Sequence, residues 1–265
     1  MQLLDLSSQM NWAATKGFWN MIDTITFDLW NTLLSNKPQD NERYKQKRLG
    51  ALGDLLKENG LEVDSRSLYR AHEEGYEKCK ETWRTNLDLD TQQQLKIMFG
   101  FLKDQRFHTI PQSLMLRLEE AFLAPILKEP PLLIEGAKNA VERVKAEGYK
   151  IGMICNTGRT PGRIMREVLR KLDMVKYFGA LTFSNELKIR KPDPRIFFHT
   201  LSQLKSAPAN SLHVGDEPKV DVLGAKRAGM TSVHFNPDQT AYAEIEPDFS
   251  IKKLAELKIV LQKIK

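Results

Sequence analysis

Five short apolar runs, each ending on a polar residue, constrain what this chain can fold into more than any other feature. They are "MIDTITFD" (21–28), "KIGMICN" (150–156), "GALTFSN" (179–185), "SLHVGD" (211–216) and "MTSVHFN" (230–236). Runs of this length and content have strand character. Helix-like segments separate the later four. "PGRIMREVLRKLDMV" and "DPRIFFHTLSQLK" carry apolar residues at helical spacing behind a proline, and "VDVLGAKRAG" stops on Gly229. Strand alternating with helix predicts an α/β fold, a Rossmann-like parallel sheet flanked by helices. In such sheets ligands bind beyond the carboxyl ends of the strands, so Asp28, Asn156, Asn185, Asp216 and Asn236 are expected to converge on one edge.

The gap between the first and second runs breaks the alternation. Residues 36–130 show no strand pattern and read as four helices, "NERYKQKRLGALGDLLKENG", "SRSLYRAHEEGYEKCKETWR", "DTQQQLKIMFGFLKD" and "PQSLMLRLEEAFLAPIL". The second starts behind an Asp64/Ser65 cap and places Leu68, His72, Tyr76, Cys79 and Trp83 on one face. The expected organisation is an N-terminal extension (1–20), an α/β core (21–35 and 131–265) and an inserted all-helical unit (36–130).

Composition narrows the function classes. The net charge is +6 over 265 residues, with lysines scattered rather than clustered. That balance suits an anionic small substrate. It lacks the basic, aromatic-interleaved stretches of a nucleic-acid binder, so no nucleic-acid partner is expected. No apolar run approaches the roughly 18 residues of a membrane span, and the N-terminus has no signal-peptide core, so no membrane partner is expected. Cys79 and Cys155 offer neither a disulfide framework nor zinc spacing, which points to a reducing, cytoplasmic setting.

The chemistry lies at the strand ends. Asp28 closes the first run. In "HVGDEPKVD", Gly215 permits a tight turn and Asp216 and Asp221 follow. Carboxylates gathered in one pocket repel unless a cation compensates, and oxygen-preferring Mg²⁺ fits such a set. In "RKPDPRIF", Lys191 precedes a proline and a helix start, where a lysine can neutralise a carboxylate or a phosphate oxygen. In "CNTGRTPGR", a strand end runs into Thr157, Gly158 and a helix-starting proline, an arrangement suited to an anion, with Arg159 and Arg163 adding charge.

"FDLWNTLL", "ICNTGRT", "RKPDPRIF" and "HVGDEPKVD" stand in the order of the four motifs of the haloacid dehalogenase superfamily, and their separation resembles that of members with a helical cap after the first motif. The resemblance covers nearly all of residues 21–240. It implies an Mg²⁺-dependent phosphatase of a small phosphorylated metabolite, working through an aspartyl phosphate. Asp28 and Lys191 are then catalytic. Asp28, Asp216, Asp221 and the Trp30 carbonyl hold the metal. Cys155, Asn156, Thr157 and Arg159 bind the phosphate. The inserted helices form a cap that closes over the site, with His72, Lys78, Trp83 and Arg84 as candidate lining residues.

Two positions depart from the family pattern. Trp30 stands where its phosphatases carry a second Asp as general acid and base. Cys155 stands where the second motif has Ser or Thr, so either Cys155 or Thr157 fills that role. Two other readings follow: a catalytically weak binding or regulatory protein, and a 2-haloacid dehalogenase. The dehalogenases carry an aromatic residue at the Trp30 position, but Gly where this chain has Asn31, and they lack the Gly215–Asp216 pair.

Overall fold

A computed structural model describes residues 21–239 and 244–264; the expected N-terminal extension, with Trp12 and Trp19, lies outside them. Six parallel strands form one sheet in the order β3-β2-β1-β4-β5-β6. They are β1 (Thr24–Phe27), β2 (Lys150–Cys155), β3 (Ala180–Phe183), β4 (Ser211–Gly215), β5 (Thr231–Phe235) and β6 (Phe249–Ile251). The first five sit on the five predicted runs. β6 was not anticipated, because three residues (Phe-Ser-Ile) are too few to show a period.

β1 lies at the centre, paired with β2 on one side and β4 on the other. The strand order reverses there, which opens a crevice at the carboxyl edge. Alternation along β2 divides the core. Ile151, Met153 and Cys155 join the large apolar cluster that includes α5 (Ala137–Ala146), α6 (Gly162–Lys171) and α10 (Leu257–Ile264). Ile154 points to the other face and packs with Ile196, Phe197 and Leu201 of α8 (Pro194–Leu204) and Ala225 of α9 (Leu223–Arg227). A single-turn helix, α7 (Ser184–Leu187), follows β3.

Between β1 and β2 run α1 (Pro38–Glu58), α2 (Ser65–Trp83), α3 (Thr91–Phe99) and α4 (Gln112–Lys128). Their ends follow the local signals. The Asp64 side chain accepts from Ser67 N–H at the start of α2. Asp90 and Gln93 form a reciprocal capping box on α3, and Gly60 takes φ +72° after α1. α1 packs on α4 and α2 on α3.

Candidate active site

The sequence around each acid explains its placement. Asp28 leaves β1 with its N–H donating to the Val214 carbonyl of the next strand, and only 7% of the residue is exposed. The chain then turns through Asn31 at φ +56°, a left-handed conformation tolerated by Asn or Gly. That turn returns Leu34, whose carbonyl accepts from Asn31 N–H at 2.7 Å. Across β4, Gly215 cannot carry a side chain: a Cβ there would lie 2.2 Å from Asp221 Cγ. The missing atom lets a π-helical turn (Pro218–Val222) lay Asp221 over the strand end.

Lys191 joins the two acids. Its Nζ donates to Asp28 Oδ1 at 2.5 Å and Asp221 Oδ1 at 2.6 Å. Asp221 is further held by the Glu217 N–H at 3.1 Å and by His213 Nε2 at 3.1 Å. The Thr26 hydroxyl lies 2.8 Å from His213 Nδ1. Burial lowers the affinity of His213 for a second proton. A neutral ring with Nε2–H donating to Asp221 and Nδ1 accepting from Thr26 satisfies both contacts. Burial opposes the charge on Asp221, yet Lys191 and His213 together hold its carboxyl well below the usual range. Asp28 goes the other way. Burial, with Asp221 and Asp216 nearby, raises its carboxyl well above the usual range despite Lys191. Asp216 is likewise raised, to about 7, by burial and by Asp221.

Carboxylate oxygens of Asp28, Asp216 and Asp221 lie within 4.8 Å of one another. Lys191 pairs with two of the three acids and is the one cation that the cluster holds among the described residues, so carboxyl groups outnumber it. A hard cation with an all-oxygen donor set fits that excess. Trp30 is half-buried beside it, in the wall of a cleft of about 850 Å³ that also takes in Asp28, Asn156, Arg159, Lys191, Asp216 and Asp221.

The segment after β2 departs from expectation. Asn156 lines the cleft, but its amide is engaged: its Oδ1 accepts from Lys191 N–H at 2.8 Å and its Nδ2 donates to the Lys191 carbonyl at 2.9 Å. It is a clamp that fixes the lysine. Thr157 is completely buried. Its hydroxyl donates to Asp88 Oδ2 at 3.1 Å and its N–H to Ser184 Oγ at 2.8 Å, so it is not free to bind phosphate. Cys155 is buried at the end of β2, where burial and Asp28 push its thiol up. Arg159 does line the cleft, with Nη2 donating to the His72 carbonyl at 3.0 Å. Arg163 instead pairs with Glu119 and Glu120 on α4.

Among the candidates from the inserted helices, His72, Trp83 and Arg84 line the cleft. Lys78 does not; it is exposed and pairs with Glu81. Several residues escaped sequence reasoning. Asp88 accepts from Trp83 Nε1 (2.9 Å), Leu89 N–H (2.7 Å), Thr157 Oγ1, the Ser184 hydroxyl and Arg190 Nη1 (2.8 Å). Arg190 also stacks on Trp83, 4.7 Å from the ring centroid. Asp88 lies in "NLDLDTQ", between α2 and α3, where no periodic pattern marks it. The one available signal was Arg190, next to Lys191.

Comparison with known proteins identifies the family. Residues 22–229 match the family model of haloacid dehalogenase-like hydrolases. A glyceraldehyde 3-phosphate phosphatase of Methanopyrus kandleri is 25% identical over 92% of this chain and 99% of its own length. A second protein of that description, from Pyrococcus furiosus, is 31% identical, but the match spans 49% of this chain and only 55% of that protein. Among solved structures, a 2-haloacid dehalogenase from Pseudomonas syringae superposes with a TM-score of 0.66 at 24% identity, over 92% of this chain and 100% of that one; it shares the fold. Matched over most of its length by the family model, the chain belongs to the haloacid dehalogenase-like hydrolases.

Proposed function

We propose that this hydrolase is an Mg²⁺-dependent phosphatase of small phosphorylated metabolites. One observation carries the reading: Asp28, Asp216 and Asp221 crowd around Lys191 at the mouth of a large cleft, with more negative charge than one lysine balances. Relatives named as phosphatases of glyceraldehyde 3-phosphate and of ribulose-1,5-bisphosphate support it.

In this reading Asp28 is the nucleophile. Its carboxylate oxygen forms a bond to phosphorus as the bond to the leaving oxygen breaks. Water then attacks phosphorus, releases phosphate and restores the carboxylate. Lys191, fixed by Asn156 and oriented by Asp221, offsets charge on the phosphoryl oxygens. Asp28, Asp216 and the Trp30 carbonyl would hold Mg²⁺, with Asp221 in support, and the ion would supply positive charge at the phosphoryl group. Residues 36–130 act as the cap over a core of 21–35 and 131–265, and their cleft-lining side chains select the substrate. The enzyme works in the reducing cytoplasm, consistent with two free, buried cysteines.

The test is phosphate release from a panel of phosphorylated metabolites. Excess EDTA should abolish turnover and added Mg²⁺ should restore it. Undiminished release under EDTA would refute the metal-dependent mechanism. Trp30 and the protonated thiol of Cys155 favour a second reading, a catalytically weak binding protein. Tight binding of a phosphorylated ligand with no turnover across the panel would select it.

A further inference from the structure

Two arginines in the cleft have no counter-ion among the described residues. Arg48 of α1 is 6% exposed; it makes one hydrogen bond, from Nη2 to Thr160 Oγ1 at 2.8 Å. Arg159 makes one, to the His72 carbonyl. Among the described residues no carboxylate lies within 4.0 Å of either guanidinium, and the Nε of each is buried without a partner. The nearby acid, Glu73, is committed to Lys45 (3.2 Å) and His72 Nδ1 (2.9 Å). Both arginines line the cleft that contains Asp28, Lys191 and Asp216. They are also brought together: Arg48 bonds to the residue next to Arg159, in the segment whose Asn156 fixes Lys191.

The cost of this arrangement is visible. Burial, and then the charge of Arg159, pull the Arg48 guanidinium down to about 10. His72 is held neutral, near 4, by burial and by Arg159, so it adds no third cation. Desolvated, unpaired charge is unfavourable unless something offsets it. Stacking immobilises the planes: Arg48 lies over Phe122 at 4.8 Å and Arg159 over Tyr76 at 4.6 Å. A guanidinium held by its face keeps its edge donors, in the fork geometry that matches an oxyanion.

We propose that Arg48 and Arg159 form an oxyanion subsite that takes a second acidic group, carboxylate or phosphate, on the far end of the phosphorylated substrate. This rests on the phosphatase reading of the Asp28 end of the same cleft. The substrate class becomes a doubly anionic metabolite, a phosphorylated acid or a bisphosphate, in preference to a phosphate ester with a neutral tail. Phe122 and Tyr76 position the arginines; Thr160 and the His72 carbonyl anchor one edge of each.

The experiment compares three non-hydrolysable probes of equal chain length by calorimetry with Mg²⁺ present: an alkylphosphonate, an ω-phosphonocarboxylate and an α,ω-bisphosphonate. At least one doubly anionic probe should bind wild type roughly ten-fold tighter than the alkylphosphonate, about 1.4 kcal/mol. Whichever is tighter identifies the oxyanion. Arg48→Met and Arg159→Met should each shrink the advantage to less than about three-fold, about 0.65 kcal/mol. Arg48→Gln serves if a Met variant fails to fold. Equal affinities in wild type, or an advantage that survives in the folded variants, would overturn the subsite. Wild-type hydrolysis of an aryl phosphate tests the underlying reading separately. Hydrolysis without the affinity advantage refutes the subsite alone. The advantage without hydrolysis leaves the subsite standing and refutes the phosphatase.

Discussion

Arg190 and Lys191 are neighbours in sequence, yet each anchors a carboxylate cluster of opposite character. Around Arg190, one acid, Asp88, receives five hydrogen bonds from Trp83, Leu89, Thr157, Ser184 and Arg190 itself. Every acceptor direction is used, and the side chain is fully buried. Around Lys191, two acids, Asp28 and Asp221, hold one ammonium group with a third, Asp216, beside them, and no described residue donates to Asp28 Oδ2. A balanced buried cluster holds structure: Asp88 fastens the segment after α2 to the one before α8. An unbalanced cluster has spare acceptors and uncompensated charge, which is what binding and chemistry need.

That contrast can be broken by mutation, and the largest effect should come from the unbalanced side. Asp28→Asn keeps an acceptor for Lys191 but removes the nucleophile, so phosphate release should fall by at least ~10⁴-fold. It also removes like-charge repulsion with Asp216 and Asp221, so the thermal midpoint should hold or rise. Turnover near the wild-type rate, or an unfolded variant, would make the Asp28 cluster structural.

Asp88→Ala should do the reverse. It strands Arg190 and the buried Thr157 and Ser184 hydroxyls, and should cost about 3–5 kcal/mol in denaturant unfolding. A loss below 1 kcal/mol would mean that the cluster is not the fastener described above.

Trp30→Asp sharpens the account of the reacting end. With no carboxyl at position 30 to protonate the leaving oxygen, wild type should turn over aryl phosphates much faster than alkyl phosphates. The substitution should raise kcat/KM for the alkyl substrate by ~10²-fold relative to the aryl one. Equal wild-type rates on the two would point to another acid.

The smallest change is Thr26→Val. It removes the hydroxyl beside His213 Nδ1 and should cost ~1 kcal/mol of stability. Because His213 then loses the partner that sets its tautomer, Asp221 and Lys191 are less well held, and kcat should fall more than KM rises. An unaltered kcat would separate the Thr26–His213 pair from the site.

How much of this was legible in sequence depends on how local each cause is. Strand–helix alternation, capping acids and the polar ends of parallel strands are written within a few residues, so five of the six strands among the described residues, the helix starts and the convergence of Asp28 and Asp216 could be read directly. β6 could not, because three residues carry no period. Partner choice was not legible either. Asn156 and Thr157 sit beside the cleft on a motif that reads as anion-binding, but packing aims Asn156 at the Lys191 backbone and Thr157 at Asp88. Asp88 meets Arg190 across 102 positions, and Arg48 meets Thr160 across 112. Short-range period and turn chemistry specify the sheet and its carboxyl-edge acids, so these were legible in the sequence; the lysine among them was expected only from the resemblance of "RKPDPRIF" to a family motif. Only the tertiary structure decided which charges are balanced and which are left over, because that depends on which distant side chains the packed helices bring within hydrogen-bond reach.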